Sequence, residues 1–234
     1  MDTDRRLLTC ALGTMEYGAA LELQRAVSAA RIAGALDQDV LLLVEHPPVV
    51  TLGRSTKGTN RDVNPAWLAS RGIACFEVER GGDATFHGPG QLVGYPIVDL
   101  ARHVKDLHWY LRQVEQVLID ALGTLGIVAG RNAGYTGAWV GDRKIASIGV
   151  HARDWVTRHG FALNVTTDLS CFDVIVPCGI AGVEMTSVAR ELGGAPVDPG
   201  RVTAAVVAAF GRVFALEPVA VTREALAAHV APAS

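Results

Sequence analysis

Between Arg80 and Gln91 the chain reads Arg80-Gly81-Gly82-Asp83-Ala84-Thr85-Phe86-His87-Gly88-Pro89-Gly90-Gln91, with four glycines and one proline in twelve residues. That density excludes a continuous helix or strand across most of the segment, so every layer of the fold has to be built around it. Strand-like stretches stand on either side, Ile73 to Glu79 before it and Leu92 to Val98 after it. Glycines let backbone approach a ligand closely and turn N–H groups toward an anion or a carbonyl oxygen. The spacing matches neither G-x-G-x-x-G nor a P-loop, which excludes the usual dinucleotide and triphosphate readings. Two readings remain: a long β-hairpin connection, or a binding loop. The presence of Arg80, Thr85, His87 and Gln91 in one glycine-rich loop favours the second.

The rest of the pattern mixes strands and helices. Leu7 to Leu12 predicts a first strand and Tyr17 to Ile32 a helix. Val40 to Val44 is wholly apolar and stops at Glu45-His46-Pro47-Pro48, as a strand buried on both faces would. Val49 to Leu52 continues extended, and Asn64-Pro65 opens a short helix to Ser70. Asp106 caps the clearest helix, whose apolar positions Leu107, Tyr110, Leu111, Val114, Val117, Leu118, Ala121, Leu122 and Leu125 recur with helical spacing until Gly126. Short strands follow at Ala138 to Val140, Lys144 to His151 and Gly160 to Val165. Asp198-Pro199 starts a helix reaching Phe214, and a short one near Thr222 to His229 closes the chain. Neither a regular βαβ alternation nor a meander results. The expectation is an α+β fold, a mixed β-sheet flanked by helices, in one catalytic domain spanning residues 1–234.

A net charge of −3 argues against a nucleic-acid partner. The charged N-terminus lacks a secretory h-region, and no apolar run is long enough to span a bilayer. Cys10, Cys75, Cys171 and Cys178 form no CxxC pair, so no metal and no disulfide framework is expected, and a reducing, cytoplasmic setting fits.

Two residues draw attention as chemistry. The chain holds three lysines, and Lys144 enters a small apolar stretch, Lys144-Ile145-Ala146-Ser147-Ile148-Gly149. Buried there it would lose solvation and become an acid–base group near neutrality. At an edge it would snorkel to water, and the residues alone favour that. Cys178 stands in Val174-Ile175-Val176-Pro177-Cys178-Gly179-Ile180, where an apolar strand breaks at proline, shows one thiol and turns at glycine. That displays a nucleophile with free N–H groups behind it, although a buried structural thiol is common in such a setting. An ammonium beside a thiol favours the thiolate, and the neutral amine can take the thiol proton and return one to a leaving group.

The glycine-rich run resembles the signature of the lipoyl(octanoyl) transferases, which move octanoyl groups from carrier protein to protein lysines. Pro177-Cys178-Gly179-Ile180 resembles the family's nucleophile segment, and Lys144 to Gly149 its lysine segment. His159-Gly160-Phe161-Ala162-Leu163-Asn164 is similar to a further pocket motif, and the likeness runs in order from about Leu7 to Leu192. The resemblance implies a fold shared with biotin protein ligases and lipoate–protein ligases, with Cys178 as acyl-thioester nucleophile and Lys144 as its base. It also implies substrate contacts from Arg80, Gly81, Gly82, Asp83, Ala84, Thr85, Phe86 and His87, from Ser147, Ile148 and Gly149, and from Gly160, Phe161 and Ala162. The implied donor is octanoyl-acyl carrier protein. The implied acceptors are lipoyl domains of 2-oxoacid dehydrogenase complexes and the glycine cleavage H protein. The expectation is also that no cofactor, metal, nucleic acid or membrane takes part, and the resemblance implies a monomer. Three rivals are an ATP-dependent ligase of the same fold, disfavoured by the placement of Pro177-Cys178-Gly179-Ile180, a non-catalytic acyl-binding module, disfavoured by the Lys144 and Cys178 pair, and a cysteine amidohydrolase, for which seven histidines make a chance partner easy to find.

Overall fold

The computed structural model describes residues 5–56, 64–174 and 183–230. In chain order it contains β1 (Arg6–Thr14), α1 (Tyr17–Ile32), β2 (Asp39–Glu45), β3 (Val49–Leu52), α2 (Pro65–Ser70), β4 (Ala74–Glu77), β5 (Thr85–His87), β6 (Gln91–Ile97) and α3 (Leu107–Thr124). There follow β7 (Ala138–Val140), β8 (Arg143–Arg153), β9 (Val156–Asn164), α4 (Val188–Glu191), α5 (Pro199–Phe214), β10 (Glu217–Ala220) and α6 (Arg223–Val230). Seven strands form one sheet in the order β10-β1-β2-β6-β9-β8-β7, and three form a smaller one in the order β4-β3-β5. The large sheet is mixed. β1 runs parallel to β10 and β2, whereas β2, β6, β9, β8 and β7 are successively antiparallel. The α+β expectation holds.

β2 shows why its sequence is apolar without alternation. Leu41 and Leu43 join a core with Val114, Leu118 and Leu122 of α3 and Val206 and Phe210 of α5. Val40, Leu42 and Val44 join the opposite core, with Leu21 and Val27 of α1 and Leu226 of α6. A period-two strand between two helical layers is buried on both faces, and each large side chain so buried contributes about 1.5–3 kcal/mol. The predicted caps form as well. Asp106 accepts from the backbone N–H of His108 at 2.7 Å, and Asp198 from that of Gly200 at 2.8 Å, with Pro199 at the first helical position.

Three features depart from the sequence expectation. Thr85–His87 inside the glycine-rich segment is a short strand, antiparallel to β3. The hairpin reading fails, because β3 lies between β4 and β5, and β6 belongs to the other sheet. The glycine-rich segment therefore bridges two sheets. Second, β8 and β9 form one long hairpin, paired from Ala146↔Leu163 to Arg153↔Val156 and turned at Asp154 and Trp155, whose φ values are 51° and 67°. Two residues at positive φ give the primed turn that matches strand twist, although neither is glycine. Third, the apolar strand expected at Val174 to Val176 begins otherwise: Leu169–Val174 is a 3₁₀ helix. The Cys178 end of that reading lies outside the described residues.

Where β6 pairs with β9, Gly94 stands opposite Phe161, and the Phe161 ring lies over Gly94. A Cβ at position 94 would overlap Phe161 Cζ and Cε1. This close approach seats the ring at the floor of the cavity described next.

Candidate active site

A cavity of about 470 Å³ lies over β6, β9 and β8, roofed by the glycine-rich segment. Arg80 organises that roof. One guanidinium nitrogen donates to the carbonyls of Asp83 at 2.7 Å and Gly81 at 3.1 Å. The other donates to the Thr51 carbonyl at 2.7 Å and its hydroxyl at 2.9 Å. The loop thus curls around its own first side chain. Its backbone is tied on both flanks, Gly81 N to the Val150 carbonyl at 2.9 Å and the Gly82 carbonyl to Ser55 N at 3.0 Å. A Cβ at Gly149 would sit 3.0 Å from both Arg80 Cδ and the Gly81 oxygen, so the glycine in β8 makes room for the roof. A lysine has no planar fork to reach both sides. Arg80→Lys is therefore expected to leave buried carbonyls unpaired and to lower stability by about 1–3 kcal/mol, read from urea unfolding; an unchanged midpoint would contradict this role.

The cavity wall carries neutral imidazoles and phenols. His46 Nδ1 lies 2.7 Å from the Met15 carbonyl, which can only accept, so Nδ1 bears the proton. Nε2 then accepts from the Tyr95 hydroxyl at 2.7 Å, which commits the Tyr95 proton away from the cavity that Tyr95 lines. Burial pushes His46 below its ordinary range. Burial, reinforced by His46, pushes His87 down to about 3. His159 is pushed down as well, chiefly by burial, which outweighs the nearby Glu79 carboxylate at 3.8 Å. Tyr17, stacked against His87 at 6.1 Å between ring centroids, is pushed up to about 12 by burial.

Lys144 does not snorkel. It is 2 % exposed, lines the cavity, and holds its ammonium nitrogen 5.4 Å from the Trp139 ring centroid. Its backbone is fastened from the side as well. Lys144 N donates to the Glu184 carbonyl at 2.8 Å, and the Lys144 carbonyl accepts from Thr186 N at 2.9 Å. Sequence alone favours an edge position, from which a lysine reaches water.

Of the other residues expected at the site, Arg80, Gly81, Gly82, Asp83, Thr85 and His87 line this cavity, together with Ser147, Ile148 and Gly149 of β8 and Gly160, Phe161 and Ala162 of β9. Ala84 and Phe86 point into a separate core, where Phe86 packs on Phe172 at 5.9 Å between ring centroids. Cys178 lies outside the described residues. Cys10 and Cys75 have thiols pushed up by burial, which suits packing better than nucleophilic attack.

The mouth was not legible from the motifs. Leu107, His108 and Leu111 from the start of α3 line the cavity there, as do Gly134, Tyr135 and Thr136. Glu115, 1 % exposed on α3, holds that second rim. It accepts from Arg112 at 2.7 Å, Arg131 at 3.0 Å and Gly137 N at 3.2 Å. The signal was a carboxylate four residues beyond Leu111 on the flank of an otherwise apolar stripe.

Comparison with known proteins agrees with this architecture. Residues 16–211 match the lipoyl protein ligase A/B catalytic domain family. An octanoyltransferase of Solibacter usitatus is 55% identical over 169 residues, covering 72% of this chain and 76% of that protein. One of Gloeobacter violaceus is 47% identical over 212 residues, covering 91% and 92%. Among solved structures, a bipartite lipoate protein ligase of Thermoplasma acidophilum superimposes with a TM-score of 0.71 at 20% identity, over 96% of this chain and 89% of that one. A biotin protein ligase of Aquifex aeolicus gives a TM-score of 0.50 at 10% identity, over 90% and 70%, and shares the fold. Sequence motifs, sheet topology and these matches together place the chain in the lipoyl(octanoyl) transferase family, within the lipoyl protein ligase A/B catalytic domain.

Proposed function

We propose that this protein transfers an octanoyl group from octanoyl-acyl carrier protein to a lysine ε-amine of lipoyl domains, through an acyl thioester on Cys178 with Lys144 as its base. The observation that carries the reading is the burial of Lys144 in the wall of a partly apolar cavity, with its backbone fastened to Glu184 and Thr186. These two residues follow Cys178 by six and eight positions in the sequence. The cavity volume falls in the range of small-molecule sites, and Val93, Leu107, Leu111, Ile148, Val150 and Phe161 give it an apolar lining for an acyl chain. The octanoyltransferases at 47% and 55% identity support the choice of acyl group.

In the first half-reaction the Cys178 thiolate attacks the donor thioester. The bond from the acyl carbon to the donor sulfur breaks, and that sulfur leaves as a thiol with a proton from Lys144. In the second, a lysine ε-amine attacks the enzyme thioester, a C–N bond forms and the Cys178 thiolate leaves. Exchange between thioesters is nearly balanced and thioester to amide is downhill, so no ATP and no cofactor are needed. The acceptors are lipoyl domains of 2-oxoacid dehydrogenase complexes and of the glycine cleavage H protein, met in the cytoplasm by a monomeric enzyme. Among the described residues no helix is long and apolar enough to cross a membrane.

Intact-protein mass spectrometry tests this. With octanoyl-acyl carrier protein the wild type should gain one octanoyl group, released by hydroxylamine, and Cys178→Ala should gain none. An adduct on Cys178→Ala would remove the nucleophile, and an absolute need for ATP would move the protein to the ligase reading.

A further inference from the structure

Behind the cavity wall three side chains form a hydrogen-bonded row whose polarity is set by two backbone carbonyls. Asn164 Nδ2 donates to the Thr186 carbonyl at 3.0 Å. That leaves Asn164 Oδ1 to accept from Gln91 Nε2 at 3.0 Å. Gln91 Nε2 also donates to the Phe86 carbonyl at 3.2 Å. Gln91 Oε1 therefore faces His87 Nδ1 at 2.8 Å, and His87 must donate there. Gln91 and Asn164 are each 1 % exposed. Turning either amide over would set oxygen against oxygen and strand a buried N–H, so the two carbonyls fix the whole row. His87 lines the cavity, and its Nε2 makes no hydrogen bond among the described residues.

We propose that Gln91 and Asn164 are positioning residues of the transfer, which lock the His87 proton on Nδ1 so that Nε2 turns a lone pair to the cavity and accepts a hydrogen bond from the ε-amine attacking the thioester. This rests on the acyl-transfer reading above. The chemistry selects the ligand class. His87 Nε2 can only accept, and the Tyr95 oxygen has its proton committed to His46, so at His87 the wall offers a lone pair that suits an N–H donor. Neither an acyl chain nor a thioester carbonyl has such a donor, whereas an attacking amine does. The amine nitrogen forms the C–N bond with its lone pair while one N–H points at His87. Of the two protons an alkylammonium sheds on becoming an amide nitrogen, one returns to Lys144 and the other goes to solvent, as the C–S bond breaks and Cys178 leaves as thiolate. His87 holds and aims the nitrogen, and keeps no proton.

Imidazole ¹⁵N spectra of the wild type and rapid-quench kinetics of the two half-reactions test this together. The wild-type His87 ring should be neutral and protonated on Nδ1 from pH 5 to 8. In Gln91→Leu an Nε2–H population should appear. Transfer from preformed octanoyl-enzyme to a lipoyl domain should slow at least tenfold more than octanoyl-enzyme formation does. Should Gln91→Leu not fold, Gln91→Met, which fills nearly the same volume but offers His87 Nδ1 no amide oxygen, should show the same split. A wild-type ring protonated on Nε2, or equal slowing of both half-reactions, overturns the proposal. Failure of the wild type to form any octanoyl-enzyme instead defeats the acyl-transfer reading, and is told apart because the spectra report the tautomer without turnover.

Discussion

Lys144→Ala is expected to lower octanoyl transfer by about 10²–10⁴-fold, the usual contribution of a positioned acid–base group, with the fold kept. The fold survives because what ties β8 to residues 184–186 is backbone: Lys144 N to Glu184 and the Lys144 carbonyl to Thr186. The side chain lines the cavity, with its nitrogen beside Trp139. Its removal should leave Cys178 with an ordinary thiol that becomes reactive only toward pH about 8.5. Lys144→Met, which refills most of the volume, separates chemistry from packing and should lose activity equally. The rate of Cys178 alkylation by iodoacetamide against pH is the direct measure. A profile identical to wild type in both variants would remove Lys144 from the role of base.

Acidification from pH 7 to 5 is expected to cost the protein a large share of its stability. His87 is held neutral by burial, with its pKa down to about 3 against about 6.5 in an unfolded chain. The unfolded state therefore binds the extra proton first. The contribution of the neutral ring is complete above about pH 6.5 and is lost as pH falls toward about 3. At pH 5 that amounts to about 2 kcal/mol from His87 alone. His46 and His159 are shifted in the same direction by the same cause and add to the loss. Asp39 and Glu79, whose carboxyls are held below the ordinary range, add theirs only at lower pH. Urea midpoints at pH 7, 6 and 5 measure the effect, with roughly 5–15 kcal/mol of total stability to draw on. A flat series would show that these rings are not buried neutral.

Elements specified by local chemistry were legible residue by residue. Asp106, Gly126 and Asp198-Pro199 bounded α3 and α5, and the apolar run at Val40 marked the strand between the two helical layers. What depended on long-range pairing was not. The β8–β9 turn uses Asp154 and Trp155 in place of glycine or asparagine, so no local signal joined its arms. β10 is four residues at a sheet edge, with three of them exposed, and carries no pattern to read. The motif segments Arg80 to His87, Ser147 to Gly149 and Gly160 to Ala162 do converge on one cavity, yet Tyr17, Tyr95 and His159 stand there beside them. Tyr17 opens α1 and Tyr95 sits in an apolar strand, so each reads as ordinary core until the sheet brings it to the cavity. Lys144 was misjudged for a similar reason. Residues 184–186, far along the chain, run beside it and fasten its backbone.

The ring of Phe161 lying over Gly94 has a consequence for how this cavity can change over generations. Position 94 acquires a side chain only by displacing the aromatic ring at position 161, because the two would occupy the same space. Shrinking Phe161 deepens the floor at once and at the same stroke releases position 94. The reverse order passes through an overpacked intermediate, of a kind that usually costs 1–3 kcal/mol. Mutational paths toward a different pocket depth are therefore biased in order: giving up the aromatic residue first is the less costly route.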